Sequence, residues 1–268
     1  MASRHPFVDA SRPLVFAHRG GSGLAPENTV AAFDRGLGLG ADGLELDVHL
    51  TRDGRVAVHH DASLERTTNG VGPIASCTLE DLARLDAGYR FCLGDDFPFR
   101  GRGFCVPSLA DVLRRYPGAR MIIEMKNGSE ALALATLADV RQANALDRVC
   151  FASEHVSGVR AIRRAEPAAA TSAARDEIRR ALWRSWIGLG PTRPPYVAFQ
   201  VPELAGPIRV VSPRFVRAAH GSRLRVQVWT VDRAADIRRL LQWGVDAIIT
   251  DRPDVAVEIV KQFVDGRP

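Results

Sequence analysis

The sequence has few cysteines, almost no lysine and no long apolar run. Its four cysteines, at positions 77, 92, 105 and 150, form no C-x-x-C pair, which argues against a zinc-knuckle site. We therefore expect reduced thiols that are mostly buried. No stretch approaches the roughly 18 apolar residues that a membrane-spanning helix needs, and the first residues do not combine a charged segment with an apolar one. These absences predict a cytoplasmic protein.

The positive charge is carried almost entirely by arginine. Lys126 and Lys261 are the only lysines among 36 basic residues, and the net charge is +5. Because no basic run is interleaved with aromatic residues, nucleic acid is not an expected partner. The excess of positive charge favours an anionic small-molecule substrate or a membrane surface. Peripheral contact with a membrane therefore stays open, whereas nothing indicates an obligate protein partner.

Short apolar runs alternate along the chain with segments of helical spacing. This alternation is typical of a parallel sheet with helices outside it. Spread over about 250 residues, it predicts an α/β fold, a TIM (β/α)8 barrel, in a single domain over residues 1–268. The predicted strands are 14–17, 43–50, 55–60, 121–125, 148–152, 169–173, 196–201, 225–231 and 246–250. The predicted helices are 29–37, 109–115, 129–143, 156–164, 176–186, 233–243 and 253–264.

Two segments depart from the alternation. Only TRDG (51–54) joins the second run to the third, which is too short for a crossover helix. Asp53-Gly54 is a hairpin signal, so these two runs form either an antiparallel pair or one bent ribbon. Residues 62–107 are rich in glycine, threonine, aspartate and aromatic residues, with one helical stretch near 79–85. We interpret them as a small insertion after the third strand.

Acidic side chains interrupt two of the apolar runs. In GLELDVHL (43–50), alternation places Glu45 and Asp47 on one face and the leucines on the other. If the leucines pack against helices, the acids point inward, where an unpaired charge is costly. A hard divalent cation bound through oxygen resolves that cost, and Glu124 of MIIEMK is a candidate third ligand. The alternative is an exposed edge strand with solvated acids.

Histidines and fixed cations stand at the ends of several runs. His18 and Arg19 follow LVFA (14–17), His60 ends RVAVHH (55–60), and Lys126 ends MIIEMK. Together with a divalent cation, these groups suit phosphoryl chemistry. The positive groups stabilise charge on the phosphate oxygens, one histidine removes a proton from the attacking hydroxyl, and the other protonates the leaving alkoxide. The alternative is a set of solvated or paired surface side chains.

A series of motifs resembles the glycerophosphodiester phosphodiesterase family and follows that family's order from about residue 14 to residue 260. The resemblance implies a TIM barrel with an insertion after the HD motif. It also implies hydrolysis of glycerophosphodiesters to sn-glycerol 3-phosphate and an alcohol, with Ca²⁺ or Mg²⁺ as cofactor. The motifs are HRG (18–20), PENT (26–29), ELDV (45–48), T-x-DG (51–54), HD (60–61), RTTNG (66–70), LDAG (85–88), PSL (107–109), E-x-K (124–126), VWTV (228–231) and TDRP (250–253).

The resemblance also implies roles for individual residues. Its metal ligands are Glu45, Asp47 and Glu124, its acid–base pair is His18 and His60, and its phosphate and pocket contacts are Arg19, Lys126 and Trp229. We add Gln200, at the end of its run, as a substrate contact, and we interpret Asn28 and Asp251 as helix N-caps. In such enzymes the glycerol's own hydroxyl attacks first, and water then opens the cyclic phosphate.

Two alternatives to this function stay open. The same fold cleaves lysophospholipids or intact phospholipids in phospholipase D fashion, or it is an inactive barrel that only binds phosphodiesters. One departure bears on the first alternative: the chain reads ASEH at 152–155, with Glu154 where the family often has phenylalanine. Because of that substitution, the motifs do not determine which residues form the apolar wall of the pocket or which leaving group the pocket accepts.

Overall fold

The fold alternates strand and helix over most of its length. A computed structural model describes residues 5–266. The strands are β1 Leu14–His18, β2 Gly43–Leu50, β3 Val56–Val58, β4 Arg120–Met125, β5 Val149–Ala152, β6 Ala170–Thr171, β7 Ala198–Pro202, β8 Leu204–Ala205, β9 Ile208–Arg209, β10 Arg225–Trp229 and β11 Ala247–Thr250. The α-helices are α1 Val30–Gly38, α2 Leu79–Ala83, α3 Leu109–Arg115, α4 Glu130–Gln142, α5 Val156–Ala165, α6 Arg175–Trp186, α7 Pro213–Gly221, α8 Ala234–Gln242 and α9 Pro253–Val264. Short 3₁₀ turns occupy Pro6–Val8, Ile74–Ser76 and Leu146–Arg148.

Eight parallel strands curve into a nearly closed barrel. Their order is β6-β5-β4-β2-β1-β11-β10-β7, and a parallel bridge between Ser172 and Ala198 brings the two ends of the sheet together. The predicted (β/α)8 barrel is therefore confirmed. β3 pairs antiparallel with β2, with Val58 opposite Val48, so the TRDG link is the turn of a hairpin. Gly54, at a φ of 73°, supplies the left-handed residue of that turn.

The pleat of β2 separates the apolar core from the polar interior, as the alternation predicted. Leu44, Leu46 and Val48 are fully buried in the core between the barrel and its helices. Glu45 and Asp47, which alternate with them, face the other way. Because the side-chain period of a strand is two, the outward leucines fix the inward direction of both acids.

Apolar side chains fill the barrel beneath these acids. Phe16 on β1, Ile122 on β4 and Ile249 on β11 belong to one buried cluster, which Phe7 joins from the turn Pro6–Val8. The rings of Phe7 and Phe16 stack with their centroids 5.8 Å apart. This packed floor leaves the polar groups at the carboxyl ends of the strands, which is where (β/α)8 barrels carry their sites.

The structure contains elements that the sequence pattern did not predict. Helix α7 was not predicted, although Ser212 caps it and Pro213 is its first residue, an arrangement that marks helix starts. The hairpin of β8 and β9 was also missed, because each strand has only two residues. The helical stretch near 79–85 is shorter than expected and ends at Ala83.

The expectation of mostly buried cysteines was wrong. All four cysteines are free, as expected, but only Cys150 is buried; Cys92 is exposed and the other two are half-buried. Cys150 belongs to the cluster inside the barrel, whereas the other three lie within the segment 62–107. That segment has too small an apolar cluster to bury them all. In the described part of the chain, no helix has the length and apolar character required to traverse a bilayer.

Candidate active site

Three carboxylates converge at the ends of β2 and β4. Oxygen atoms of Glu45, Asp47 and Glu124 all lie within 4.8 Å of one another. The register of the two strands brings them together, because Asp47 lies directly opposite Glu124. Asp47 is almost completely buried and Glu45 nearly so. The sequence prediction that these three acids meet is therefore matched by the geometry.

The three carboxyl groups concentrate negative charge in one place, which additional positive charge would stabilise. Burial, followed by the charge of Asp47, raises the pKa of Glu45 to about 8. Burial also raises the pKa of Glu124, against the opposing charge of Lys126. Asp47 is the exception: burial works to raise its pKa, but Lys126 and then Arg19 outweigh burial and lower it. A cluster of three largely buried carboxylates suits a hard divalent cation, whose preferred ligands are oxygens.

Side chains around Asp47 hold it in place. The amide of Asn28 donates a hydrogen bond to Asp47 Oδ2 at 2.9 Å. Arg19 Nε lies 3.3 Å from the same oxygen, and Lys126 Nζ lies 3.3 Å from Asp47 Oδ1. Arg19 and Asn28 both have positive φ, at 51° and 57°. The turn after β1 therefore places two side chains against one carboxylate at some backbone strain.

Each candidate catalytic histidine is paired with a carboxylate through Nδ1. His18 Nδ1 lies 2.6 Å from Asp251 Oδ1, and His60 Nδ1 lies 2.6 Å from Asp61 Oδ1. His18 Nε2 lies 3.8 Å from Glu45 Oε2, so this imidazole reaches the acid cluster. A carboxylate on one ring nitrogen fixes the tautomer and leaves the other nitrogen for proton transfer.

The two histidines differ in electrostatic environment. For His18, burial works to lower the pKa, but the charges of Glu45 and Asp251 outweigh it and raise the pKa. For His60, burial dominates and lowers the pKa. Two titratable groups of one type thus have pKa values shifted in opposite directions within one site, which is a pattern seen in acid–base pairs.

A single cavity of about 1340 Å³ collects nearly all the predicted site residues. Asp47 lies beneath its surface, held by the contacts described above. Gln200 is on the floor, where its amide nitrogen donates to Gln227 Oε1 at 2.9 Å. Trp229 ends β10 with 37% of its surface exposed. The predicted residues that line the cavity are His18, Arg19, Glu45, His60, Glu124, Lys126, Gln200 and Trp229.

The interpretation of Asn28 and Asp251 as helix caps was wrong. Thr29 caps α1 and Arg252 precedes α9, whereas Asn28 and Asp251 contact Asp47 and His18. A polar residue just before a predicted helix favours a capping role, because the sequence shows only the neighbours along the chain and not the partners in space. A usable signal existed for Asp251: it directly follows β11, and residues after barrel strands meet at one rim.

Arg66 is a further site residue, for which no individual role was predicted although it begins the motif RTTNG (66–70). Its guanidinium donates to both oxygens of Glu27, at 2.7 Å each, and its Nε lies 2.5 Å from Asp61 Oδ2. Glu27 in turn accepts from Arg19 Nη1 at 3.1 Å. Arg66 therefore joins the partner of Arg19 to the partner of His60 from within the segment 62–107.

Glu154, which stands where the family often has phenylalanine, does not supply apolar surface to the cavity. It lines the cavity and forms an ion pair with Arg175 at the start of α6. Apolar surface comes instead from Ile178 and Leu182 on the same helix and from Ile208 on β9. The wall that the motifs left undetermined is thus supplied by other elements.

Comparison with known proteins gives concordant matches over most of the chain. Residues 18–255 match the model of the "Glycerophosphoryl diester phosphodiesterase family". A glycerophosphodiester phosphodiesterase of Caldanaerobacter subterraneus subsp. tengcongensis is 33% identical over 94% of this chain and 99% of its own. The crystal structure of a putative glycerophosphoryl diester phosphodiesterase from Silicibacter pomeroyi superposes with a TM-score of 0.79, 27% identity and 97% of each chain covered. A phosphodiesterase of Oleispira antarctica, in complex with sn-glycerol-3-phosphate, superposes with a TM-score of 0.76 at 22% identity, covering 93% of this chain and 97% of that one.

Proposed function

The chain belongs to the glycerophosphoryl diester phosphodiesterase family and is an enzyme of that class, and on this premise we propose how its own residues carry out the reaction. The proposed activity is divalent-cation-dependent hydrolysis of glycerophosphodiesters to sn-glycerol 3-phosphate and an alcohol, with His18 and His60 as acid and base. The observation that carries it is the convergence of three carboxylates and two imidazoles on one cavity.

Glu45, Asp47 and Glu124 are the residues that would hold the cation. Their oxygens are close enough to share one ion, and burial together with the charge of Asp47 raises the pKa of Glu45. Ca²⁺ and Mg²⁺ both prefer such oxygen ligands. A bound cation would stabilise negative charge on the phosphate oxygens.

Proton transfer falls to His18 and His60. One imidazole takes the proton of the attacking glycerol hydroxyl while the hydroxyl oxygen forms a bond to phosphorus. The other gives a proton to the alkoxide released when the opposite P–O bond breaks. Water then opens the cyclic phosphate to glycerol 3-phosphate. The carboxylates of Asp251 and Asp61 orient the rings by hydrogen bonds to Nδ1.

Positioning of the phosphodiester falls to the remaining cavity residues. Arg19 and Lys126 carry permanent charge at the rim of the acid cluster and suit the phosphate oxygens. Trp229 faces the glycerol or the leaving group, and Gln200 contributes an amide on the floor. The glycerol-3-phosphate complex of the Oleispira antarctica relative supports a product of this size in the barrel.

Product analysis tests the proposal. Wild-type protein with glycerophosphocholine and added Mg²⁺ or Ca²⁺ is expected to release glycerol 3-phosphate and choline. His18→Ala and His60→Ala are expected to reduce kcat by about a hundredfold or more, in line with the loss of a general acid or base. His220→Gln, which removes a histidine paired with Asp246, serves as the control and keeps full activity. Binding of the diester without turnover would identify an inactive phosphodiester-binding barrel instead.

A further inference from the structure

Two buried histidines lie next to His60 and Asp61 without lining the cavity. His49 is 8% exposed near the end of β2, and His59 is 4% exposed directly after β3. His60 lines the cavity, whereas His49 and His59 do not. These two side chains therefore do not reach the substrate, and the proposed proton transfers do not use them.

The backbone that carries His60 and Asp61 has left the sheet. The amide of His59 donates to the carbonyl oxygen of Asp47 at 2.9 Å, which continues the pairing of β3 with β2 by one residue. Beyond that point, no backbone amide within residues 5–266 donates to the carbonyl oxygen of His60 or of Asp61. Sheet hydrogen bonds therefore do not hold these two carbonyl groups.

Imidazoles supply the donors instead. His49 Nε2 lies 2.9 Å from the carbonyl oxygen of His60, and His59 Nδ1 lies 2.9 Å from the carbonyl oxygen of Asp61. A carbonyl oxygen only accepts hydrogen bonds, so each of these ring nitrogens must carry a hydrogen. The two histidines thus hold consecutive carbonyl groups, and they do so through different ring nitrogens.

A threonine orients the ring of His59. His59 Nε2 lies 3.0 Å from Thr67 Oγ1 in the segment 62–107. Burial lowers the pKa of His59, so the ring is neutral and its Nε2 accepts the hydroxyl hydrogen of Thr67. Thr67 directly follows Arg66, whose Nε donates to the carboxylate of Asp61. The segment 62–107 therefore holds Asp61 at its carboxylate directly and at its carbonyl oxygen through His59.

We propose that His49 and His59 are positioning residues for the reaction, which hold His60 and Asp61 at the rim of the cavity by their carbonyl oxygens. This inference rests on the proposed function, because its effect on the reaction passes through His60. Loss of either hydrogen bond lets His60 move relative to the bound diester, and a displacement of about 1 Å can cost about a hundredfold in rate. Since no substrate contact is removed, the loss falls on kcat and not on KM.

Exchange of each imidazole for the two amide side chains tests the proposal. The amide nitrogen of glutamine stands in for Nε2 of a histidine, and that of asparagine stands in for Nδ1. We expect His49→Gln and His59→Asn to keep kcat within about threefold of wild type, whereas His49→Asn and His59→Gln lower it about tenfold or more. KM is expected to stay unchanged in all four variants. The substrate is glycerophosphocholine with added Mg²⁺, and released choline is the readout.

Two controls separate positioning from general damage. His220 also donates through Nε2, to Asp246 at 2.8 Å, but it does not line the cavity, so His220→Asn is expected to leave kcat unchanged. In a His60→Ala background, His49→Asn and His59→Gln are expected to have no further effect on the residual rate, because the group that they position is gone. A further loss of the same size in that background would contradict a role through His60.

NMR spectra of the histidine rings test the assignment in the wild-type protein, where no substitution can disturb folding. Long-range proton–nitrogen correlations are expected to show hydrogen on Nε2 of His49 and on Nδ1, but not Nε2, of His59. The signals are assigned by their loss in His49→Gln and His59→Asn. Hydrogen on the opposite nitrogen alone, in either ring, would overturn the positioning role of that histidine.

The outcomes distinguish failure of this proposal from failure of the function on which it rests. Equal kcat values for the glutamine and asparagine variants at one position would refute the role of that histidine. If His60→Ala is strongly impaired at the same time, the proposed function stands. Full activity of His60→Ala would overturn the proposed function and this inference together.

Discussion

Asp251 Oδ1 lies 2.6 Å from His18 Nδ1, although 233 positions separate the two residues. β1 and β11 are neighbours in the barrel, so the residues that end them meet at one rim. The contact fixes the proton of His18 on Nδ1 and points Nε2 toward Glu45, 3.8 Å away. Asp251 is thus a positioning residue for a candidate catalytic histidine.

Replacing that carboxylate by an amide should impair turnover more than substrate binding. Asp251→Asn removes the acceptor that selects the tautomer of His18, so we expect kcat to fall about a hundredfold with little change in KM. Steady-state kinetics on glycerophosphocholine separate the effect on kcat from the effect on KM. Ser22→Ala, which removes only a hydroxyl donor to Asp251, should cost no more than a few-fold. An unchanged kcat in Asp251→Asn would rule out this positioning role.

Arg66 should matter to catalysis without touching substrate. The hydrogen bond from Arg66, with that from His60, holds the pKa of Asp61 well below its usual range, which keeps the partner of His60 ionised. Arg66→Lys loses the planar fork that reaches both Glu27 and Asp61, so we expect about a tenfold lower kcat. Arg84→Lys, in the same segment but in an exposed ion pair with Glu80, is the control. Equal kcat values for the two variants would contradict a link through Arg66.

Asn28 should tune cation affinity. Its amide orients Asp47, and loss of such a supporting hydrogen bond costs about 10- to 100-fold in metal affinity. Asn28→Gly removes the amide while tolerating the φ of 57°. Asn144→Gly makes the same change at a φ of 50° outside the site. Calorimetric titration with Ca²⁺ or Mg²⁺ should show weaker binding in Asn28→Gly alone; matching affinities in both variants would refute the assignment.

Glu203 should contribute stability that depends on pH. Hydrogen bonds from Arg239 and then Arg209 lower the pKa of Glu203 and tie the strand end before the hairpin β8–β9 to α8. A carboxyl with a lowered pKa in the folded state stabilises above its unfolded pKa, near 4.5, and loses that contribution as the pH falls through the folded value.

The corresponding measurement compares Glu203→Gln with wild type across pH. At neutral pH we expect a cost of about 1 kcal/mol, or roughly 2–4 °C in Tm, which shrinks as the pH falls below 4.5. Glu80→Gln, at an exposed pair within α2, should shift Tm by less. A Tm difference that stays constant from neutral to acidic pH would contradict the linkage.

The sequence was informative where structure is set by neighbours along the chain. The alternation of Leu44, Leu46 and Val48 with Glu45 and Asp47 determines which face enters the barrel, because a strand's period is two. The hairpin at Gly54 could not be distinguished from a bent ribbon, since both begin with the same turn signal. Only the pairing of Val48 with Val58 decides between them.

The sequence was least informative where a residue's role depends on a distant partner. Asn28 and Asp251 are residue types that often cap helices. Their neighbours along the chain do not identify Asp47 and His18 as their partners. Arg66 shares that difficulty, since it joins two acids that precede it by different distances. The register of a closed barrel, and not local propensity, brings these groups together.

If Glu45, Asp47 and Glu124 hold a shared cation, turnover must depend on a divalent cation. The measurement is glycerol 3-phosphate release from glycerophosphocholine by protein treated with excess EDTA, before and after addition of Mg²⁺ or Ca²⁺, for wild type and Glu45→Gln. We expect that EDTA abolishes turnover, that added cation restores it in wild type, and that Glu45→Gln needs far more cation. Undiminished turnover in excess EDTA would contradict the shared cation at Glu45, Asp47 and Glu124.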